Sequence, residues 1–177
     1  MAIARARLIG GPQVTREFLQ GWVGQSVEDF CPNRGGDFGN KGDPHNHCAH
    51  FVSHALGFQI GKLCHVMTFK SRNQPDTGRS LVVNDLFNAC PSRGLWDQKP
   101  ASLDSCLIFA VAKHGVRQQG GLWVMDNIPR KHVGIHLHNE CYNYHNTRNE
   151  GVAVDGPDFF KKLYGPGTVA LYGTYPT

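Results

Sequence analysis

A change of hydrophobic period partway along the chain most constrains the fold. Up to about residue 90, apolar residues recur at helical spacing in short runs. From Cys106 onward they gather in strand-like runs of five to seven residues: Cys106–Ala112, Gly121–Met125, His132–Leu137, Glu140–Tyr144 and Thr168–Thr174. Helices followed by strands without regular alternation predict an α+β domain, with N-terminal helices packed on one face of an antiparallel sheet. One short helix interrupts the strands at Pro157–Tyr164, where Pro157 suits a first turn and Gly165 an end.

The helical half divides at its turn residues. Val14–Cys31 reads as one or two short helices, with Ser26 and Asp29 at capping-box spacing and Pro32 as a stop. Asn33–Asn46 is a loop rich in Gly, Asn and Asp. A helix then starts near His47 and runs to Leu56, with Gly57 as its C-cap. Met67–Arg79 is irregular and polar, and Leu81–Asn88 forms a further helix closed by Cys90-Pro91. At 177 residues with 40% hydrophobic content, the chain fits one domain with a sizeable core. The division expected within it is an N-terminal helical segment (1–32) followed by a core (33–177).

Several function classes are disfavoured. A net charge of +4 is mild and scattered, and no basic cluster alternates with aromatics, so nucleic acid is not an expected partner. No apolar run reaches the roughly 18 residues a membrane span needs. The first 14 residues carry no apolar signal core, so synthesis in the cytoplasm is expected. Ten histidines would carry the charge from +4 to +14 if all were protonated, which in acid favours an anionic polymer as neighbour. The six cysteines (Cys31, Cys48, Cys64, Cys90, Cys106 and Cys141) include no C-x-x-C pair. The expectation is reduced, buried thiols, one of which does chemistry.

Cys48 is that one. It lies in the first turn of its helix, straight after the glycine-rich loop, where unsatisfied N–H groups favour a thiolate. Phe51, Val52 and Ala55 share its face, which points the sulfur at whatever the helix packs on. His132 opens a strand on which His132, Gly134 and His136 share one face and Val133, Ile135 and Leu137 the other. Gly134 leaves room for a helix beside His132. A helix cysteine facing a strand histidine is what thiolate–imidazolium chemistry requires, with a third polar group to orient the ring. Asn143 and His145 lie on one face of the next strand and are the two candidates.

A metal site is the rival reading. His45, His47, His50 and His54 cluster in sequence, as do His132, His136, His138, Cys141 and His145. His50 and His54 have the i,i+4 spacing of zinc helices, and His136 and His138 could chelate from a strand. The H-E-x-x-H glutamate and paired thiols are missing, so no metal and no cofactor is expected. His45, His47, His50, His54 and His138 are then solvated surface residues. Asp37 and Asp43 are expected as turn formers, and Trp96, Trp123, Tyr142 and Tyr144 as core aromatics.

The order Cys–His–polar resembles the NlpC/P60 cysteine peptidases of papain-like fold, over roughly residues 33–155. His47-Cys48-Ala49-His50-Phe51-Val52 resembles the family's D-C-S-G-hydrophobic-V segment, with Ala49-His50 where Ser-Gly is usual. His132-Val133-Gly134-Ile135-His136-Leu137 resembles its H-V-G-I-Y-hydrophobic strand. Cys106–Ala112 resembles the strand that follows its Pro-Gly-Asp turn. Tyr144-His145, with Gly151-Val152 six residues on, resembles the end of its third-residue strand, a spacing that favours His145 over Asn143.

The resemblance implies a cysteine amidase or endopeptidase cutting amide bonds in peptidoglycan peptide stems. Cys48 would be nucleophile, His132 its base and then acid, His145 or Asn143 the orienting residue, and the Cys48 N–H an oxyanion donor. Amidase toxins and phage lysins share this plan, which implies delivery to the periplasm or cell wall by a secretion machine or phage, with an immunity protein as partner. Papain-like acyltransferases and lipid deacylases use the same Cys–His pair. A histidine- and cysteine-rich zinc-binding domain without catalysis is the third possibility.

Overall fold

The computed structural model describes residues 14–31, 47–64, 78–146 and 151–176. The Asn33–Asn46 loop, with Asp37, Asp43 and His45, and most of the 67–79 segment lie outside the described residues. Among the described residues two capped helices come first. The Thr15 hydroxyl accepts the Phe18 N–H at 3.1 Å to start α1 (Arg16–Gln20). The Ser26 N–H donates to Asp29 Oδ2 at 2.8 Å at the head of α2 (Val27–Phe30), the box its spacing predicts. α3 (Cys48–Leu56) ends at Gly57, whose φ of +80° is the left-handed cap that glycine adopts without strain. α4 spans Val83–Ala89.

Among the described residues eight strands follow: β1 (Arg93–Leu95), β2 (Ser105–Ala112), β3 (Val116–Gln119), β4 (Leu122–Met125), β5 (Lys131–Leu137), β6 (Glu140–His145), β7 (Gly151–Asp155) and β8 (Thr168–Gly173), with α5 (Pro157–Lys162) between the last two. Six form one antiparallel sheet in the order β1-β8-β2-β5-β6-β7, and β3 and β4 form a separate hairpin. The domain is therefore α+β, with helices packed against a six-stranded antiparallel sheet.

The expected Gly121–Met125 strand falls in the hairpin rather than in the main sheet. β1, β3 and β7 were not anticipated. β1 has only three residues, too few to show a period. β3 is mostly polar and exposed, held by its pairing with β4 rather than by burial. β7 is an edge strand on which Val152 is buried while Val154 is exposed.

Strand alternation divides the sheet into two faces. Leu107, Phe109, Val133, Ile135, Tyr142, Tyr144 and Leu171 join Leu19, Phe51, Val52, Leu86 and Phe87 in the main core, under α1 to α4. The N-terminal helices share this core rather than standing apart. Trp22 meets Phe51 edge-on at 6.0 Å, and the Tyr144 hydroxyl accepts the Val27 N–H at 3.1 Å. On the other face Ile108, Ala110 and Cys141 pack on Phe160 of α5. Each fully buried Phe or Leu stabilises the fold by about 1.5–3 kcal/mol. The close approach expected at Gly134 exists, but from α5 rather than from the cysteine helix. A Cβ there would lie 2.7 Å from Phe160 Cζ and 2.8 Å from the Tyr142 carbonyl oxygen. No helix among the described residues is long and apolar enough to cross a membrane.

Candidate functional site

α3 carries Cys48 to the sheet at a particular place. Asn146, just past β6, accepts the His47 N–H at 2.8 Å and fixes the helix start against the strand end. The pairing of β5 with β6 runs from Leu137↔Glu140 to Gly134↔Asn143. At the next residue, Val133, the backbone N–H points at the Cys48 sulfur, joined by the N–H groups of Ala49 and Cys48 itself. Lys131, held at 2.9 Å by Asn84 Oδ1, adds a positive charge nearby. All four favour the thiolate, yet the sulfur is fully buried, and desolvation pushes the thiol up to about 12. The resting residue is thus a thiol. The thiolate expected from a helix start loses to burial.

His132, the neighbour of Val133, faces α5. Asp155 fixes its chemistry through Asn143. A carboxylate only accepts, so the Asn143 Nδ2 group donates to Asp155 Oδ2 at 2.8 Å. Its Oδ1 therefore faces His132, where Nε2–H donates to it at 2.8 Å. Nε2 carries the proton, and Nδ1 is left as the basic nitrogen. Burial lowers this imidazole to about 4. The Asn143 hydrogen bond and Asp155 oppose the shift, and His145 adds to it. The His132 ring packs 5.4 Å from the Phe160 ring.

His145, favoured by spacing as the third residue, lies one link further out. Its Nε2 meets Asp155 Oδ2 at 2.8 Å, and Phe159 stacks on it at 5.3 Å. The group on His132 is Asn143. The chain of contacts runs His132–Asn143–Asp155–His145, and Asp155 is a member that sequence reasoning missed. Asp155 lies opposite Cys141 in the β6–β7 ladder, a pairing that becomes visible only once β7 is recognised.

Other expectations for the histidines need correcting. His47 and His50 are buried, His50 to 1% exposure, and His54 is half-buried. They are not solvated surface residues. His136 and His138 do not converge. His136 is buried against Trp96 at 4.9 Å, whereas His138 is exposed at a turn with φ +56°. Tyr142 and Tyr144 are core aromatics, as expected.

The buried face of α3 opposite the sheet explains His50 and His54. Their Nε2 atoms lie 3.1 Å apart. Cys31, which ends α2, and Cys64 complete a group whose four ligand atoms all lie within 4.8 Å of one another. These residues could hold a metal. The i,i+4 histidines were the visible signal. The two thiols come from separate stretches, so no local C-x-x-C pair marks them. Searches against protein-family models, curated proteins and solved structures return no match for this chain.

Proposed function

We propose that the protein is a thiol hydrolase with Cys48 as nucleophile, His132 as base and Asn143 as the residue that orients the imidazole. The observation that carries this reading is the 2.8 Å bond from His132 Nε2 to Asn143 Oδ1, itself set by Asp155. It leaves Nδ1 as the ring's basic nitrogen, and the thiol lies against the backbone N–H of Val133, the next residue of the strand.

In the first step the Cys48 proton passes to His132 Nδ1 and the sulfur attacks an amide carbonyl. The Cys48 N–H at the helix start, which rests on the sulfur, stabilises the developing oxyanion once the sulfur has bonded to carbon. The imidazolium then protonates the leaving amine, and a water activated by the same imidazole hydrolyses the thioester. The thiol and the imidazole both rest neutral, so the nucleophile forms by proton transfer as substrate enters, rather than standing as a ready ion pair. The resemblance to NlpC/P60 peptidases supplies the substrate class, amide bonds of peptidoglycan peptide stems, and with it the papain-like fold.

Wild type, Cys48→Ala and His132→Ala incubated with purified peptidoglycan test this, with soluble products read by mass spectrometry. New peptide fragments are expected from wild type alone, with all three proteins folded by circular dichroism. Equal release by Cys48→Ala overturns the nucleophile. Release by none of them overturns the peptidoglycan assignment.

A further inference from the structure

The geometry points to a structural zinc site formed by Cys31, His50, His54 and Cys64, independent of the thiol chemistry at Cys48. Tetrahedral zinc holds sulfur at about 2.3 Å and nitrogen at about 2.0–2.1 Å, which sets ligand atoms about 3.3–3.8 Å apart. The His50 and His54 Nε2 atoms are 3.1 Å apart, and all four ligand atoms fall within 4.8 Å of one another. A shared proton could join the two rings, but it gives no reason for two thiols from distant stretches to converge on the same point. One ion at the centre gives that reason for all four.

The donor set selects the metal. Two sulfurs and two imidazole nitrogens suit zinc and exclude magnesium or calcium, which take oxygen. Two thiolates also neutralise a divalent cation, so the assembled centre adds no net charge to a buried site. Binding sends the protons of Cys31 and Cys64 to solvent. Four protein ligands close the coordination sphere, and a closed sphere marks a structural ion rather than a catalytic one.

The surroundings fit this reading. The Arg79 N–H donates to Cys64 Sγ at 3.3 Å, an outer-shell bond that favours the thiolate. The Cys64 N–H donates in turn to the Arg79 carbonyl at 2.9 Å, so segments 58–64 and 78–81 present the sulfur from a paired backbone. Phe30 walls the site, with its ring 5.8 Å from His50 and 5.3 Å from His54. The ion would thereby tie the end of α2, the middle of α3 and the 58–64 segment together, two residues from Cys48.

The full-length chain, purified without a metal-binding tag, tests the site by elemental analysis and native mass spectrometry. One zinc per chain is expected, retained on dialysis and lost together with a fall in melting temperature when a strong chelator is added. Cobalt in its place should show tetrahedral ligand-field bands and a thiolate charge-transfer band, which read the ligands without reference to activity. Cys31→Ser and Cys64→Ser should lose the metal, whereas Cys106→Ser, on the opposite face of the sheet, should keep it. If the serine variants fail to fold, the cobalt spectrum of the wild type still decides the ligands. Metal well below one per chain, removed with no change in melting temperature, overturns the proposal. So does a wild-type mass two hydrogens light with a Cys31–Cys64 disulfide in the peptide map.

Discussion

Replacing Asn143 with alanine separates an oriented imidazole from one that is merely buried. The amide of Asn143 makes two 2.8 Å bonds, to His132 and to Asp155. Asn143→Ala removes both. Asp155 keeps His145 at 2.8 Å, but the buried His132 Nε2–H loses its acceptor. A buried donor left without a partner costs about 1–3 kcal/mol. For a chain of this size each kcal/mol is worth about 2–4 °C, so the melting temperature should fall by about 2–12 °C.

The effect on turnover should be larger. The ring is free to turn and to take the other tautomer, which places its proton on the nitrogen needed as base. Loss of one positioned acid–base group costs about 10²–10⁴-fold, and the loss should fall on kcat with KM nearly unchanged. Asn143→Asp supplies the control. It keeps an acceptor for His132 but sets a second carboxylate beside Asp155, so it should hold the imidazole's charge more readily and move the acid limb of the pH–rate profile upward. Release of peptide fragments is the assay, with circular dichroism confirming the fold. A folded Asn143→Ala protein with wild-type kcat would refute the orienting role.

Three further outcomes follow from the same geometry. His145→Ala should lower kcat far less than Asn143→Ala, because His145 reaches His132 only through Asp155 and Asn143; kinetics of the two variants side by side decide the third residue. Stability should fall as pH drops from about 6.5 to about 4, where the unfolded chain protonates His132 and His136 and burial holds both neutral in the fold; chemical denaturation at several pH values reads this, and a flat profile would contradict it. Gly134→Ala should destabilise by about 1–3 kcal/mol, since the new methyl meets the Tyr142 carbonyl, which cannot rotate away, as well as Phe160; urea midpoints measure it.

Local patterns in the sequence carried much of this fold. The α3 boundaries follow from one apolar stripe and Gly57, and the faces of β5 from strict alternation, because both signals lie within a single element. α2 and α5 follow from Ser26 and Pro157 at their starts, whereas the Thr15 cap that starts α1 was not anticipated. What escaped depended on pairing between elements. A regular hairpin would have set His145 opposite His132, but the β5–β6 ladder ends at Gly134↔Asn143, and it is the Asn143 side chain that reaches diagonally to the histidine. Asp155 entered only through the unanticipated β7. His50 and His54 looked solvated because they oppose the apolar stripe of α3. That side is covered by Phe30 and by two cysteines whose approach no local spacing announces. The Cys48–His132 pairing rests on residue types and order; the structure adds that Cys48 meets the backbone of Val133, the next residue of the strand, while the His132 ring packs on α5.

The place of β8 bears on how the molecule is made. It is the last of the described strands, yet it lies inside the sheet between β1 and β2. β5, β6 and β7 form a meander of near neighbours that can pair as soon as they leave the ribosome. β1 and β2 must wait, each with an open edge towards the other, until residue 173 has emerged to fill the gap. Synthesis therefore delivers the His132–Asn143 pair early and leaves the sheet unsealed until β8 has emerged. A nascent chain halted before Thr168 would expose the apolar flank of β2 to other chains, and is the form most prone to aggregate.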